Sequence, residues 1–280
     1  MTVQTHTQHT EKSAGDIDTL DMVAQRLDQA AHTASAMTQL STQGVTLSLD
    51  GAYQVQDASV ARRFARGEHQ LGIKMGFTSR AKMQQMGVNE MIWGPLTSGM
   101  QIEEGGTLDL ANFIHPRVEP EIAFLLKKDL CGPVSFTEAM DAVEAVAPAL
   151  EIIDSRYRDF RFSLHDVIAD NCSSSGFVVG QWRRDLTQLD NLGMVLEMDG
   201  AAVEFGSSAA ILGNPWRSLV AAARLASERG RVLKAGWTVL AGAATAARPL
   251  TAGNYIRLQC EALGDVEFRV RDSRAAATAA

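Results

Sequence analysis

Two glutamates separated by one residue occupy a segment that alternates like a β-strand. The segment from His115 to Leu126 reads HPRVEPEIAFLL. Successive side chains of a strand point to opposite faces, so Glu119 and Glu121 share a face, about 6.6–6.8 Å apart along the chain. Two carboxylates converging at that spacing raise one pKa and cost stability unless a cation lies between them. The pair therefore indicates either a solvated strand face or a site for Mg²⁺ or Mn²⁺, which prefer oxygen ligands.

A third carboxylate would complete a cation site that leaves positions open for substrate and water. In residues 148–157, PALEIIDSRY, Glu151 stands among apolar side chains, at what we expect to be a transition from helix to strand. Asp154 is the local alternative, and we expect it instead to pair with Arg156 or to cap the following segment.

Periodicity indicates the elements that must position these residues. From Asp16, three- and four-residue spacing predicts an amphipathic helix with these apolar positions inward: Leu20, Val23, Leu27, Ala30, Ala34 and Met37. A second helix is predicted over Asp57–Gly67, with Val60 and Phe64 inward. Its three arginines, Arg62, Arg63 and Arg66, are expected to face mostly outward. These two helices form the N-terminal region.

The remaining chain alternates short strands with a few helices. Residues 71–77, LGIKMGF, predict a strand, and residues 194–205 predict a hairpin turning at Asp199-Gly200. Residues 254–270 predict a second hairpin, turning at Gly264-Asp265.

Two further helices are predicted from capping signals. The first lies in residues 135–150, which open with a capping-box pattern, and the second begins after Asn214 with Pro215 and ends at Gly230. The predicted fold class is α+β, with a strand-rich body of antiparallel or mixed sheets.

Composition excludes several classes of protein. The 280 residues are 46% hydrophobic and carry a formal net charge of −7 without a basic stripe, which argues against nucleic-acid binding. No apolar run approaches the ~18 residues of a membrane span, and the N-terminus lacks the apolar core of a signal peptide. The three cysteines lie far apart, so neither a zinc site nor a disulfide framework is expected. We therefore expect a cytoplasmic protein that does not bind membranes.

Several stretches together resemble a known family. Residues 72–100 (GIKMGFTSRAKMQQMGVNEMIWGPLTSGM), 115–126, 148–180 and 233–247 resemble the hydratase/decarboxylase branch of the fumarylacetoacetate hydrolase superfamily, and the resemblance spans about residues 17–270. It implies a mixed β-roll or barrel-like body with a helical N-terminal region. It also implies Mg²⁺ or Mn²⁺ held by Glu119, Glu121 and Glu151, the residues that strand geometry had indicated.

Composition and the resemblance together divide the chain into four predicted regions. They are a disordered tail over 1–15, a helical N-terminal region over 16–70, a catalytic domain over 71–272 and a flexible tail over 273–280. The implied activity is decarboxylation of 4-oxalocrotonate (2-oxo-3-hexenedioate) to 2-hydroxypenta-2,4-dienoate and CO₂ in catechol meta-cleavage degradation. The alternative is hydration of 2-hydroxypenta-2,4-dienoate by the same metal.

The resemblance also suggests roles for single residues. Lys74 is the expected catalytic cation, with a pKa lowered by burial; a lysine reaching out to solvent is the alternative. Arg117 would orient a substrate carboxylate or pair with a ligand glutamate. The remaining substrate-binding candidates belong to two polar loops, for which ordinary turn chemistry is the alternative: Asp170, Ser173, Ser174 and Thr245. His115 and the four tryptophans are expected to be structural.

The sequence departs from the family pattern at three positions, and other functions are weighed against the implied one. Many relatives have aspartate where this chain has Trp237, and Cys172 and His165 stand where alanine and proline are expected; these changes could alter the pocket but not the metal site. Hydrolysis of an acylpyruvate is disfavoured, because none of the six histidines has a helical H-x-x-E spacing. A scaffold subunit without activity is the third rival. The expected partners are a small 2-oxo acid, the pathway hydratase and further copies of the chain.

Overall fold

The computed structural model describes residues 14–79, 83, 90–185 and 188–274. The predicted tails lie almost entirely outside these residues, as does most of the family-like stretch TSRAKMQQMGV. Within the described part of the chain, none of the helices combines the length and apolar character needed to cross a bilayer.

Two helices at the N-terminal end pack against each other: α1 (Ala14–His32) and α2 (Leu49–Ala65). The first confirms the predicted helix but ends at His32, so the expectation that Ala34 and Met37 continue its apolar face was wrong. The second begins earlier than predicted, because the Ser48 hydroxyl caps it by accepting a hydrogen bond from the backbone N–H of Gly51 at 3.0 Å. Phe64 is exposed rather than inward.

The larger sheet has seven strands among the described residues, in the order β2-β1-β9-β4-β5-β6, with β10 paired to β4. Its strands are β1 (Gln70–Gly76), β2 (Ile92–Thr97), β4 (Arg117–Leu126), β5 (Val143–Ile153), β6 (Ser174–Val179), β9 (Thr238–Leu240) and β10 (Arg248–Pro249). The pairing of β1 with β9 is parallel and the other pairings are antiparallel, so the sheet is mixed.

The smaller sheet consists of five described strands in the order β3-β12-β11-β7-β8. They are β3 (Thr107–Asp109), β7 (Gly193–Met198), β8 (Ala201–Ser207), β11 (Tyr255–Cys260) and β12 (Gly264–Arg271). The hairpin turning at Asp199-Gly200 is confirmed, and both turn residues have positive φ. The second hairpin turns at 261–263, so the turn lies earlier than predicted and Gly264 already pairs with Cys260.

Among the elements that the structure describes, three shorter α-helices connect the strands: α3 (Phe136–Ala142), α4 (Leu164–Ala169) and α5 (Pro215–Glu228). The capping box of Ser135 and Glu138 is present, and Asn214 caps α5 as predicted. Helix α3 is much shorter than predicted, because Val143 already begins β5. Glu151 therefore lies inside a long buried strand, not at a transition from helix to strand. The α+β class with mixed sheets is confirmed.

Candidate active site

Three glutamates from two neighbouring strands converge in the larger sheet. Glu119 and Glu121 share a face of β4, and antiparallel pairing places Glu151 of β5 directly opposite Glu119. One carboxylate oxygen of each lies within 4.8 Å of the others. Glu121 and Glu151 have no exposed surface and Glu119 is 9% exposed, so the alternative of a solvated strand face was wrong.

The surroundings of this triad leave it rich in negative charge. Burial raises the pKa of Glu121 well above its ordinary value, and the charge of Glu151 raises it further. Burial also raises the pKa of Glu151, against the opposing effect of Lys74. The backbone N–H of Gly242 donates to Glu121 Oε2 at 2.7 Å, whereas no donor among the described residues reaches Glu121 Oε1 or Glu151 Oε2. Buried carboxylate oxygens that lack donors, and that the strand pairing holds close together against their mutual repulsion, fit a hard divalent cation.

Lys74 lies beside the triad on β1, which is separated from β4 by β9. Its side chain is buried, and Nζ lies 2.9 Å from Glu151 Oε1 as an ion pair. Burial alone would lower the pKa of Lys74, but the charges of Glu151, Glu121 and Glu119 together raise it. The expectation of a lowered pKa was therefore wrong, and so was the alternative of a lysine reaching solvent.

A cavity of about 120 Å³ opens in front of Lys74 and Glu119. Apolar side chains form most of its wall: Met75, Phe77, Ile92, Ile153, Phe160, Phe162 and Val167. Ser173 and Cys172 belong to the same wall, and burial raises the pKa of the Cys172 thiol to about 12. The site therefore combines a charged floor with a small apolar chamber.

Left-handed backbone is concentrated around this cavity. Phe77, Phe160 and the consecutive residues Asn171, Cys172 and Ser173 all have positive φ. For a residue with a Cβ this conformation costs about 1–2 kcal/mol, so these segments persist only because surrounding contacts hold them. Such strain is typical of functional sites.

One predicted substrate-binding residue, Ser173, lines the cavity, and a second, Arg117, contacts a residue of its wall. The Ser173 hydroxyl is buried in its wall without a hydrogen-bond partner among the described residues. The Arg117 guanidinium lies 4.2 Å from the ring centroid of Phe160, a wall residue, and His115 stacks on the same ring at 4.6 Å.

The structure places the other three candidates elsewhere. Asp170 is buried in an ion pair with Arg156. The Ser174 hydroxyl contacts the Met100 sulfur at 3.8 Å, and the exposed Thr245 hydroxyl donates to its neighbour's backbone carbonyl. None of the three lines the cavity, so the structure does not bring them together with the triad.

The expected role of Asp154 was also wrong. Its carboxylate accepts hydrogen bonds from the backbone N–H groups of Ile114 and His115, at 2.8 and 2.9 Å, and Arg156 pairs with Asp170 instead.

Of the tryptophans, Trp93 and Trp216 are buried in the core and the other two are half-buried.

Several residues around the site have no distinctive pattern in the sequence. Gly242 supplies a backbone donor to the triad, Phe160 and Phe162 form the wall, and Gln56 reaches the wall from α2. A phenylalanine or a glutamine has no signature spacing, so only the fold identifies them.

Comparison with known proteins places this site in a family. The model of the fumarylacetoacetate (FAA) hydrolase C-terminal domain matches residues 101–271. The chain is 57% identical to a 4-oxalocrotonate decarboxylase from Pseudomonas sp over 255 residues, covering 91% of this chain and 99% of that protein. The chain belongs to the fumarylacetoacetate hydrolase family.

Other relatives agree with this assignment. The structure of 4-oxalocrotonate decarboxylase from Pseudomonas putida G7, complexed with magnesium and adipate, superposes with a TM-score of 0.88 at 35% identity, covering 91% of this chain and 98% of that one. A 2-hydroxyhexa-2,4-dienoate hydratase from Comamonas testosteroni is 33% identical over 88% of this chain and 95% of its own length. The expected fold of the family is confirmed. The boundaries at residues 16, 71 and 273 stay predictions.

Proposed function

We propose that this protein decarboxylates 4-oxalocrotonate to 2-hydroxypenta-2,4-dienoate and CO₂ in catechol meta-cleavage degradation, using a divalent cation. One observation carries the proposal: three buried carboxylates meet within 4.8 Å beside a buried lysine and a small cavity. The identity of 57% with a 4-oxalocrotonate decarboxylase supports the choice of reaction, because hydratase relatives are 33% to 36% identical.

Glu119, Glu121 and Glu151 are the residues that would hold the cation, Mg²⁺ or Mn²⁺. When bound, the cation supplies Lewis-acid stabilisation of negative charge on a 2-oxo acid. The triad's contribution is a preformed ligand set on rigid strands, with Gly242 N–H fixing the orientation of the Glu121 carboxylate.

Lys74 is proposed to handle the proton of the reaction. When C6 of the substrate leaves as CO₂, the electrons of the C5–C6 bond move through the C3–C4 alkene to the oxygen on C2, and a dienolate results. Lys74 Nζ, which lies 2.9 Å from Glu151 Oε1, is proposed to stabilise that oxygen through an N–H donor and to deliver the proton that gives the enol product.

The cavity wall favours loss of charge from the departing carboxylate. Phe160, Phe162, Ile92 and Val167 surround the chamber with apolar surface. A carboxylate is poorly solvated there, whereas neutral CO₂ is not, so the wall lowers the cost of the bond-breaking step. Ser173, whose hydroxyl is in the cavity wall, and Arg117, whose guanidinium contacts the wall residue Phe160, are proposed to orient the substrate through a carboxylate that is retained in the product.

The deciding experiment uses purified protein treated with a chelator. We expect CO₂ release from 2-oxo-3-hexenedioate to depend on added Mg²⁺ or Mn²⁺, and 2-hydroxypenta-2,4-dienoate to accumulate without being hydrated. Water addition to the dienoate without CO₂ release from the dicarboxylate would instead identify a hydratase.

Two variants distinguish an enzyme from a scaffold subunit. Glu119→Gln removes a proposed metal ligand, so turnover should fall by about 10²-fold or more and Mg²⁺ binding should weaken by about 10–100-fold. Glu104→Gln makes the same change at an exposed position and should leave both unchanged. Equal activity of the two variants would refute the role of the triad.

We further propose that the protein acts in the cytoplasm as a homo-oligomer that associates with the pathway hydratase. The chemistry supports this association, because the dienoate that the proposed reaction releases is the substrate that a hydratase consumes. Light scattering of the purified protein tests the oligomer, and co-purification of the two enzymes from cell extract tests the complex. A monomer that does not retain the hydratase would contradict both.

A further inference from the structure

Gln56 joins three segments that each contribute a residue to the cavity wall. It lies on α2, its side chain has no exposed surface, and its Nε2 donates to the backbone carbonyls of Trp93 at 3.1 Å and Ile168 at 3.0 Å. The same nitrogen lies 3.7 Å from the sulfur of Cys172. One amide thus connects β2, α4 and the turn that follows α4.

The turn at Asn171, Cys172 and Ser173 depends on such contacts. All three residues have positive φ, at 48°, 54° and 58°, and none is glycine. Because a run of left-handed residues is unfavourable by itself, neighbouring groups must hold it. The turn presents to the cavity both Cys172 and the Ser173 hydroxyl, which has no hydrogen-bond partner in the described part of the chain.

The turn is held from two sides. On one side, Gln56 and the Trp93 carbonyl hold Cys172, whose thiol donates to that carbonyl at 3.1 Å. On the other side, the backbone N–H of Asp154 donates to the Ser173 carbonyl at 2.8 Å. This second contact ties the turn to the end of β5, the strand that carries Glu151. The placement of the Ser173 hydroxyl relative to the triad therefore depends on both contacts.

We propose that Gln56 is a positioning residue, which fixes the left-handed turn and thereby sets the place of Ser173 and Cys172 in the cavity. This inference rests on the proposed decarboxylation for its catalytic consequence, but not for its structural one. It assigns the N-terminal helical region a direct part in shaping the site.

The test replaces Gln56 with methionine, which has a similar length and no amide. In a Cys131→Ser background, which removes the exposed thiol, we expect kcat to fall about tenfold or more, since small displacements in a site have large kinetic effects. Alkylation of Cys172, followed by peptide mass spectrometry, should accelerate about tenfold or more because the turn is released. Affinity for Mg²⁺ should stay unchanged, because Gln56 contacts none of the three glutamates.

Ser208→Ala is the matched control. Ser208 is also fully buried, and its hydroxyl joins the segments that precede β7 and follow β8 by donating to Leu189 O at 2.6 Å and accepting from Leu192 N at 2.8 Å. It should lower stability without changing kcat or the labelling of Cys172. If Gln56→Met does not fold, Gln56→Asn, whose shorter amide cannot reach both carbonyls, should give the same kinetic and labelling pattern.

Two results would overturn the inference. If Cys172 labelling and kcat match those of the Ser208 control, Gln56 does not hold the turn. If labelling accelerates but kcat is unchanged, the position of the turn does not serve the reaction. If the unmodified protein fails to release CO₂ from 2-oxo-3-hexenedioate, the proposed function fails, and the labelling rates still decide whether Gln56 holds the turn.

Discussion

Replacing Glu121 with glutamine should stabilise the metal-free protein while removing its response to Mg²⁺. Carboxylate oxygens of the triad lie within 4.8 Å of one another. At that separation two unit charges repel by about 3.5 kcal/mol at an effective dielectric constant of about 20. Glu121 faces two such neighbours, Glu119 and Glu151, and Lys74 offsets part of the repulsion. We therefore expect a net gain of about 3 kcal/mol in the free energy of unfolding.

The pH dependence follows from the raised pKa of Glu121. The folded protein binds this proton more tightly than the unfolded chain, whose glutamate has an ordinary pKa of 4.5. Stability from this group is therefore complete below pH 4.5 and falls as pH rises toward the folded pKa, by about 1.4 kcal/mol per pH unit. Glutamine does not titrate, so the advantage of the variant should be small at pH 5 and large at pH 8.

Added metal should reverse the order of stability. At a Mg²⁺ concentration about 1,000 times Kd, a bound cation stabilises the folded state by about 4.1 kcal/mol. The unmodified protein should show this gain, whereas the variant has lost a ligand and should not.

Urea denaturation at pH 5 and pH 8, in chelator and in Mg²⁺, measures four free energies of unfolding for each protein. Glu104→Gln, at an exposed position, is the control. A metal-free Glu121→Gln protein that is no more stable than the unmodified one at pH 8 would refute the reasoning, because repulsion would then not dominate the site.

Three further outcomes are expected. Gly242→Ala should lower the free energy of unfolding, measured by urea denaturation, by about 1–3 kcal/mol more than Gly253→Ala, and it should weaken Mg²⁺ binding in a metal titration. Both glycines have positive φ, but only at Gly242 would a Cβ lie 2.0 Å from a threonine hydroxyl oxygen. Equal losses of stability in the two variants would contradict this. Ser48→Ala should lower the free energy of unfolding by about 1 kcal/mol through loss of the α2 cap, with Mg²⁺ affinity unchanged; altered affinity would contradict a purely local effect. In a thiol titration with Ellman's reagent, the exposed Cys131 should react in the folded protein. Cys172, which is buried and has a pKa raised to about 12, should react only after unfolding. Rapid reaction of both thiols would show that the cavity wall opens.

Local patterns predicted much of the fold because their physical causes are local. Alternation placed Glu119 and Glu121 on one face, and the capping signals at Ser135 and Asn214 identified two helix starts. The length of α3 was not predictable in this way. The residues after Ala142 are compatible with a helix in isolation, but pairing with β4 and β6 on both sides makes them a strand.

At the candidate site, too, local sequence patterns predicted some features and tertiary packing decided the others. Strand periodicity, enclosing apolar residues and family resemblance predicted from the sequence that the three glutamates and Lys74 belong to one site, and the structure places the four side chains together. Only the tertiary structure decided the direction in which the pKa of Lys74 shifts, because that direction depends on carboxylates from other strands. It also decided that Asp170 pairs with Arg156 away from the cavity, and that Gln56 reaches the cavity wall. Electrostatic and hydrogen-bond partners that are distant in sequence are set by how the sheets and helices pack. Local sequence patterns carry no information about the distances between such residues.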